Sequence, residues 1–145
     1  MPAARSGVSM PAFTPTQELF RADGLSLSTS SDTVTGTVKN QASNVTTGLI
    51  DVSSISNGLL IISVAAVSGT GTPTLAVFFE VEDAYGNWVV TSNATSIGGT
   101  AITGTGVVTG NITAGSIMAF NGRIQWTVAG STPVFSGVTL NLYGR

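Results

Sequence analysis

The sequence predicts an all-β fold, a β-sandwich or jelly-roll-like domain, from three observations. From residue 25 onwards, no segment of ten or more residues has the apolar period of a helix, whereas short stretches alternate between apolar and polar residues. Hydrophobic residues make up 42% of the chain, and 18 glycines separate the apolar stretches. About seven or eight short strands joined by glycine-rich turns are typical of two-sheet β architectures.

Residues 1–24 differ from the rest and are predicted to form an extended N-terminal arm, which leaves residues 25–145 as the β domain. Thr14 can cap a short helical turn with Pro15 at its first position. A solvated tail seldom carries aromatic residues, so we expect the arm to dock on a partner, and a disordered tail is the alternative. The candidate partner-binding residues are Arg5, Phe13, Leu19, Phe20 and Arg21.

Strands are predicted at the stretches 25–29, 33–38 and 59–67, the last of which is a continuous apolar run typical of a strand buried on both faces. In the next strand, period-two alternation divides the side chains between two faces. One face carries Leu75, Val77, Phe79 and Val81, and the other carries Ala76, Phe78, Glu80 and Glu82.

The remaining elements follow from turn signals. Residues 83–87 are predicted to form a tight turn that returns the chain into a strand at Trp88. Residues 97–108 contain four glycines, which fits one or two short strands or a long loop. Asn121-Gly122 is a hairpin signal that leads into the strand 123–128, and a last strand covers 138–142.

Two segments rich in glycine, threonine and proline resemble each other. One ends at Pro73 and the other at Pro133, and each lies between two predicted strands. We therefore predict two similar hairpins, in which each proline sits at a strand start where no ladder N–H is needed. The alternation after Pro133 starts one residue later than after Pro73, so close repetition requires a β-bulge near Gly137.

Composition argues against several classes of function. Charged residues are 8% of the chain and the net charge is −2, whereas nucleic-acid binding needs a clustered basic face. Histidine and cysteine are absent, which removes the commonest general base and the usual metal ligands. We therefore expect no enzyme, no metal and no cofactor. No apolar stretch suits a membrane span or a signal peptide, so we also expect no membrane partner.

The surface implied by this composition consists of threonine, serine, glycine and asparagine rather than lysine and glutamate. Charge normally protects a free monomer against association. A weakly charged surface therefore suits a protein packed against copies of itself or against a larger surface, and a secreted β domain is the alternative.

Three groups of residues are candidates for chemistry. Glu80 and Glu82 form a carboxylate pair that suits acid–base catalysis on a glycoside, but a solvated sheet face or pairing with Arg123 across the sheet is the favoured interpretation. Asp83 and Asn87 can bind calcium, although a tight turn demands the same residues.

The two tryptophans are the third group. Trp88 and Trp126 can stack on sugars, and we favour a place in the core or at a subunit interface for both.

The segment 68–88, SGTGTPTLAVFFEVEDAYGNW, resembles a pattern common in small structural proteins of tailed bacteriophages. There, a Gly-Thr-x-Pro-Thr-Leu segment leads into a strand and an Asp/Gly/Asn-Trp hairpin. The strand at 122–128 and the Gly-Ser-x-Pro segment at 130–133 complete the pattern, so that the resemblance covers about residues 58–145.

Similar sequences are often head decoration (cement) proteins, which resemble β-sandwiches and commonly sit as trimers on the capsid. The resemblance implies a location on the capsid surface of the virion, with the major capsid protein and copies of the same chain as partners. It supplies no catalytic residues. The alternative is a carbohydrate- or receptor-binding β module of a phage tail or fibre.

Overall fold

The computed structural model describes residues 16–28, 39–41, 44–91, 96–112 and 121–145, and the regular secondary structure within these ranges is all β. The prediction of an all-β fold is confirmed. In the described ranges no helix is long and apolar enough to cross a bilayer. The strands are β1 (Gln17–Ser28), β2 (Lys39–Gln41), β3 (Asn44–Thr46), β4 (Ile50–Asp51), β5 (Gly58–Val64), β6 (Ala66–Glu82), β7 (Trp88–Val90), β8 (Gly106–Ile112) and β9 (Asn121–Gly144).

The sheet is organised around β9, the longest strand. β5 and β6 together run antiparallel along one side of β9, from Gly58 opposite Gly144 to Val81 opposite Gly122. On its other side, β1 pairs with the second half of β9, and β3 and β4 pair with the first half. β8 adds to the free edge of β5, and β7 adds to the free edge of β6. The result is one curled antiparallel sheet.

The core lies between the two halves of this curled sheet. Leu60, Ile62 and Val64 from one half belong to the same buried cluster as Leu75 and Phe79 from the other half. β9 contributes fully buried side chains from both halves, namely Ile124, Trp126, Phe135, Val138, Leu140 and Leu142. The shared face predicted for Leu75, Val77 and Phe79 is therefore confirmed, and it is the face that points into the core.

The sequence predicted that the two similar glycine–proline segments form hairpin turns, and this prediction is wrong. They face each other across the ribbon of β6 and β9, where Thr70 pairs with Ser131 and the register shifts on both sides of Thr70. Thr72 and Thr132 have φ values of 55° and 48°, in the left-handed region. Because glycine, threonine and proline serve turns and bulges alike, the sequence pattern does not separate the two.

The predicted bulge near Gly137 is present. Phe135 and Val138 are both fully buried, although they are an odd number of residues apart, and the pairing with β1 shifts register between them. Gly137 has a φ of 60°, which a residue with a side chain adopts only with strain.

The β domain begins earlier than predicted. The proposed boundary after residue 24 falls inside β1, which starts at Gln17 and pairs with β9 from Gly144 to Val134. The predicted helical turn is also wrong from Gln17 to Phe20, which are extended. Register shifts interrupt β1 on both sides of Ala22, and these bulges hide the period-two pattern. Residues 1–15 lie outside the described residues.

Other predictions need smaller corrections. Asn121-Gly122 does not form a hairpin turn but begins β9. In the segment 97–108, residues 97–105 form a loop that is bridged to β6 through Ile102 and Leu75, and the last three residues begin β8. The predicted strand at 33–38 lies outside the described residues. The turn at 83–87 and the return strand from Trp88 are confirmed.

Candidate functional site

The carboxylate of Glu80 is held by an arginine and is not free for catalysis. Glu80 and Arg123 are direct partners across β6 and β9, and the Arg123 Nε donates a hydrogen bond to Glu80 Oε2 at 2.5 Å. Both side chains are only 10% exposed. The guanidinium carbon also lies 4.1 Å from the ring centroid of Trp88, a cation–π geometry. This arrangement is the cross-strand pair favoured by the sequence.

The other two acidic residues of the cluster also make structural hydrogen bonds. Glu82 Oε2 accepts from the amide Nδ2 of Asn121 at 2.9 Å. Asp83 Oδ1 accepts from the backbone N–H groups of Tyr85 and Asn87, and Asp83 Oδ2 accepts from Asn87 Nδ2. The side-chain amide of Asn87, with these backbone donors, holds the pKa of Asp83 below its usual value.

These contacts favour the turn interpretation of Asp83 and Asn87 over a calcium site. Calcium takes six to eight oxygen ligands, whereas both Asp83 oxygens already accept hydrogen bonds within the turn. In the part of the chain that the structure describes, no three acidic residues come together in an arrangement that could hold a metal ion.

The two tryptophans occupy different environments. Trp126 is completely buried in the core, as predicted, and its indole Nε1 has no hydrogen-bond acceptor among the described residues. Trp88 is half-buried at the start of β7, with Arg123 stacked on its ring. Trp126 is therefore excluded as a residue that stacks on a sugar. The ring of Trp88 is already in contact with the guanidinium of Arg123.

The candidate partner-binding residues of the predicted arm do not lie together on a free arm. Leu19 and Phe20 are partly buried in β1 and pack against the core, so they belong to the domain rather than to a free arm. Arg21 is on the surface, where it forms an ion pair with Asp23 at 2.8 Å. Arg5 and Phe13 lie outside the described residues.

Three of the exposed large apolar side chains lie on elements that flank the start of β9, a region that we call the apolar end: Leu49 (67% exposed), Tyr85 (91%) and Val89 (49%). Leu49 precedes β4, which pairs with the start of β9. Tyr85 and Val89 belong to the β6–β7 hairpin, which flanks the same stretch of β9 from the other side. The sequence analysis missed this site, although an aromatic residue inside a polar turn is a detectable signal.

A groove of about 430 Å³ lies at the other end of β9. We call it the outer groove. It runs between the ends of β5, β8 and β9, beside the residue that precedes β1. Its lining residues include Thr16, Leu59, Ile61, Asn111, Tyr143 and Arg145.

Comparison with known proteins assigns the chain to no family. No family model and no curated protein matches it. Among solved structures, a protein of Parabacteroides distasonis ATCC 8503 described as a "putative secreted protein" is similar at 14% identity and a TM-score of 0.35. The match covers 70% of this chain and 38% of that protein, so the chain spans well under half of its length. At this level, the similarity supports no conclusion about function.

Proposed function

We propose that this chain is a structural protein of a tailed-phage virion. In this role it decorates the outer capsid surface and stabilises the head through contacts with the major capsid protein and with copies of itself, assembled as trimers. The observation that carries the proposal is the apolar end, which exposes Leu49, Tyr85 and Val89 on a chain with only 8% charged residues. The sequence resemblance of residues 58–145 supplies the class of partner.

The side chains of the apolar end suit a protein interface. Tyrosine is enriched where interfaces bury their most important contacts, and charged residues are depleted there. The carboxylates on the elements at this end are already hydrogen-bonded, since Asp83 is held by Asn87, Glu82 by Asn121 and Asp51 by Ser53. Covering the end with a partner therefore removes less hydration than covering free carboxylates would.

The mechanism is mechanical. A contact of standard size buries about 1,600 Å² in total, which is modest for one subunit. Once one subunit of a trimer has bound the capsid, the contacts of the other two subunits become intramolecular. Their high effective concentration raises the overall affinity of the trimer above that of a single subunit. Many symmetric copies then hold neighbouring capsid subunits together.

A variant of the apolar end tests the proposal. Leu49→Ser combined with Tyr85→Ser is expected to reduce binding to source-phage heads at least tenfold in a co-sedimentation assay. Val107→Ser is the matched control, because Val107 is 65% exposed but lies on β8, away from the apolar end. Equal binding of both variants and the unmodified chain would refute the apolar end as the capsid contact.

One observation favours the alternative, a carbohydrate- or receptor-binding module of a phage tail or fibre. Tyr85 is 91% exposed at a hairpin tip, where an aromatic ring is available to stack on a sugar. A glycan array separates the two functions. Binding that is lost in Tyr85→Ala would favour the alternative, and an absence of glycan binding would favour capsid decoration.

A further inference from the structure

The outer groove lies on the face of the sheet that points away from the core. Leu60 and Ile62 of β5 are completely buried, so the alternating residues Leu59 and Ile61 lie on the opposite face. Tyr143 is the direct partner of Leu59 on β9. These three side chains are only partly buried, and they give the groove an apolar floor that no described residue covers completely.

A buried polar atom next to this floor lacks a partner. Asn141 is the direct partner of Ile61 on the same outward face, and it is 8% exposed. Its Nδ2 donates to the hydroxyl of Tyr143 at 3.3 Å, whereas its Oδ1 is buried and has no donor among the described residues. This oxygen is already covered and Asn141 is not among the lining residues of the groove, so an additional segment would cover the apolar floor rather than pair with this atom.

The start of the chain is well placed to supply that segment. Thr16 lines the groove and precedes β1, so residues 1–15 continue from its rim. Phe13 is three residues earlier, and an extended chain covers about 3.3–3.6 Å per residue, which gives a reach of about 10 Å. Such a short link gives the chain's own segment a higher effective concentration than any free partner.

We propose that the segment before Thr16 docks on the outer groove of its own chain, with the ring of Phe13 against Leu59, Ile61 and Tyr143. An aromatic ring gains most from such a contact, because it buries a large apolar area. This inference is independent of the proposed capsid role. It assigns Phe13 to an intramolecular contact and leaves capsid binding to the apolar end.

Disulfide trapping tests the proposal directly, because the chain has no cysteine of its own. A disulfide requires Cα atoms within about 7 Å. Phe13→Cys is combined with Ile61→Cys, and in a second variant with Leu59→Cys. The control combines Phe13→Cys with Ser131→Cys, an exposed site that is far along β9 from the groove. Circular dichroism checks that each variant has the β content of the unmodified chain.

We expect an intramolecular disulfide in at least one groove variant, at a rate at least tenfold higher than in the control. After treatment with a mild oxidant such as oxidised glutathione, it would be seen as a monomer with altered mobility and a mass lower by two hydrogen atoms. Disulfide-linked dimers would overturn the proposal by assigning the groove to a second copy. Equal rates in groove and control variants, or no disulfide in either groove variant, would also overturn it.

Discussion

Gly122 is the residue at which the local sequence signal and the tertiary structure differ most. Asn-Gly is a strong hairpin signal, yet Gly122 is a buried position of β9 between β4 and β6. A Cβ atom at this position would lie 2.4 Å from Cζ of Phe79, so the ring of Phe79 occupies the space that a side chain would need. The glycine serves close packing here rather than a turn.

Gly122→Ala is therefore expected to lower the free energy of unfolding by about 1–3 kcal/mol, the usual cost of overpacking a core. Gly104→Ala is the matched control, because a Cβ there meets nothing within 4 Å and its φ is not positive. Urea denaturation of both variants measures the difference. Equal stability of the two variants would contradict the packing of Phe79 against Gly122.

The pair of Glu80 and Arg123 is the second informative position. Its two side chains are nearly buried and meet across the sheet, with Trp88 on the guanidinium. Removing one partner leaves a buried charge without compensation. Glu80→Ala is therefore expected to lower the free energy of unfolding by about 3–5 kcal/mol.

The exposed pair of Arg21 and Asp23 supplies the control for this prediction. Its side chains are 54% exposed, and pairs of this kind add little stability, so Asp23→Ala should leave the unfolding curve unchanged. A double variant, Glu80→Met with Arg123→Met, should recover most of the lost stability, because apolar residues replace both buried charges. Similar unfolding midpoints for Glu80→Ala and Asp23→Ala would show that the buried pair does not stabilise the fold.

At the scale of the elements, the inner strands were predictable and the bulged strands were not. Leu75, Val77 and Phe79 alternate without interruption and share one face as predicted, and the structure shows that this face is completely buried. β1 carries comparable apolar residues, but bulges shift its register, so that only its last part, predicted as the strand 25–29, shows a period of two, and its first part was missed. Register shifts also interrupt the pairing of the segments before Pro73 and Pro133, and these segments were predicted to be turns.

Two truncations test the place of β1 in the sheet. Removal of residues 1–15 leaves β1 intact and is expected to leave the β fold and its cooperative unfolding in place. Removal of residues 1–24 also deletes the stretch that pairs with β9 from Gly144 to Leu140. It is expected to cost roughly 2–4 kcal/mol, since Leu19 and Phe20 lose their contact with the core.

Thermal unfolding followed by circular dichroism compares the two truncations. The shorter truncation is the control for the longer one, because both lack the same first residues. If the two truncated chains unfold at the same temperature, the first half of β1 contributes nothing to the sheet, and the domain begins at residue 25 after all.

At the scale of the whole molecule, the curled sheet explains why the acidic residues of the cluster are held in structural contacts. The long ribbon of β5 and β6 against β9 brings Glu80 and Arg123 together, and its neighbouring turn holds Asp83. The acidic cluster noticed in the sequence is therefore part of the scaffold. The pairing of Glu80 with Arg123 was predictable from strand spacing, whereas the apolar end depends on how β4 and β7 flank β9, which no local pattern reveals.

The described residues thus present a weakly charged β surface with an exposed apolar end, and the proposed function is to bind many equivalent positions on a larger assembly. Association of this kind depends on symmetry and copy number rather than on a catalytic group. Capsid decoration therefore requires a defined stoichiometry of this chain in the virion.

The most direct test is the copy number of this chain in particles purified from its source, measured by quantitative mass spectrometry against the major capsid protein. Capsid decoration predicts amounts close to equimolar with the capsid subunit. A ratio of a few per cent would contradict decoration and place the chain in a tail or fibre, and its complete absence from the particles would contradict a virion role altogether.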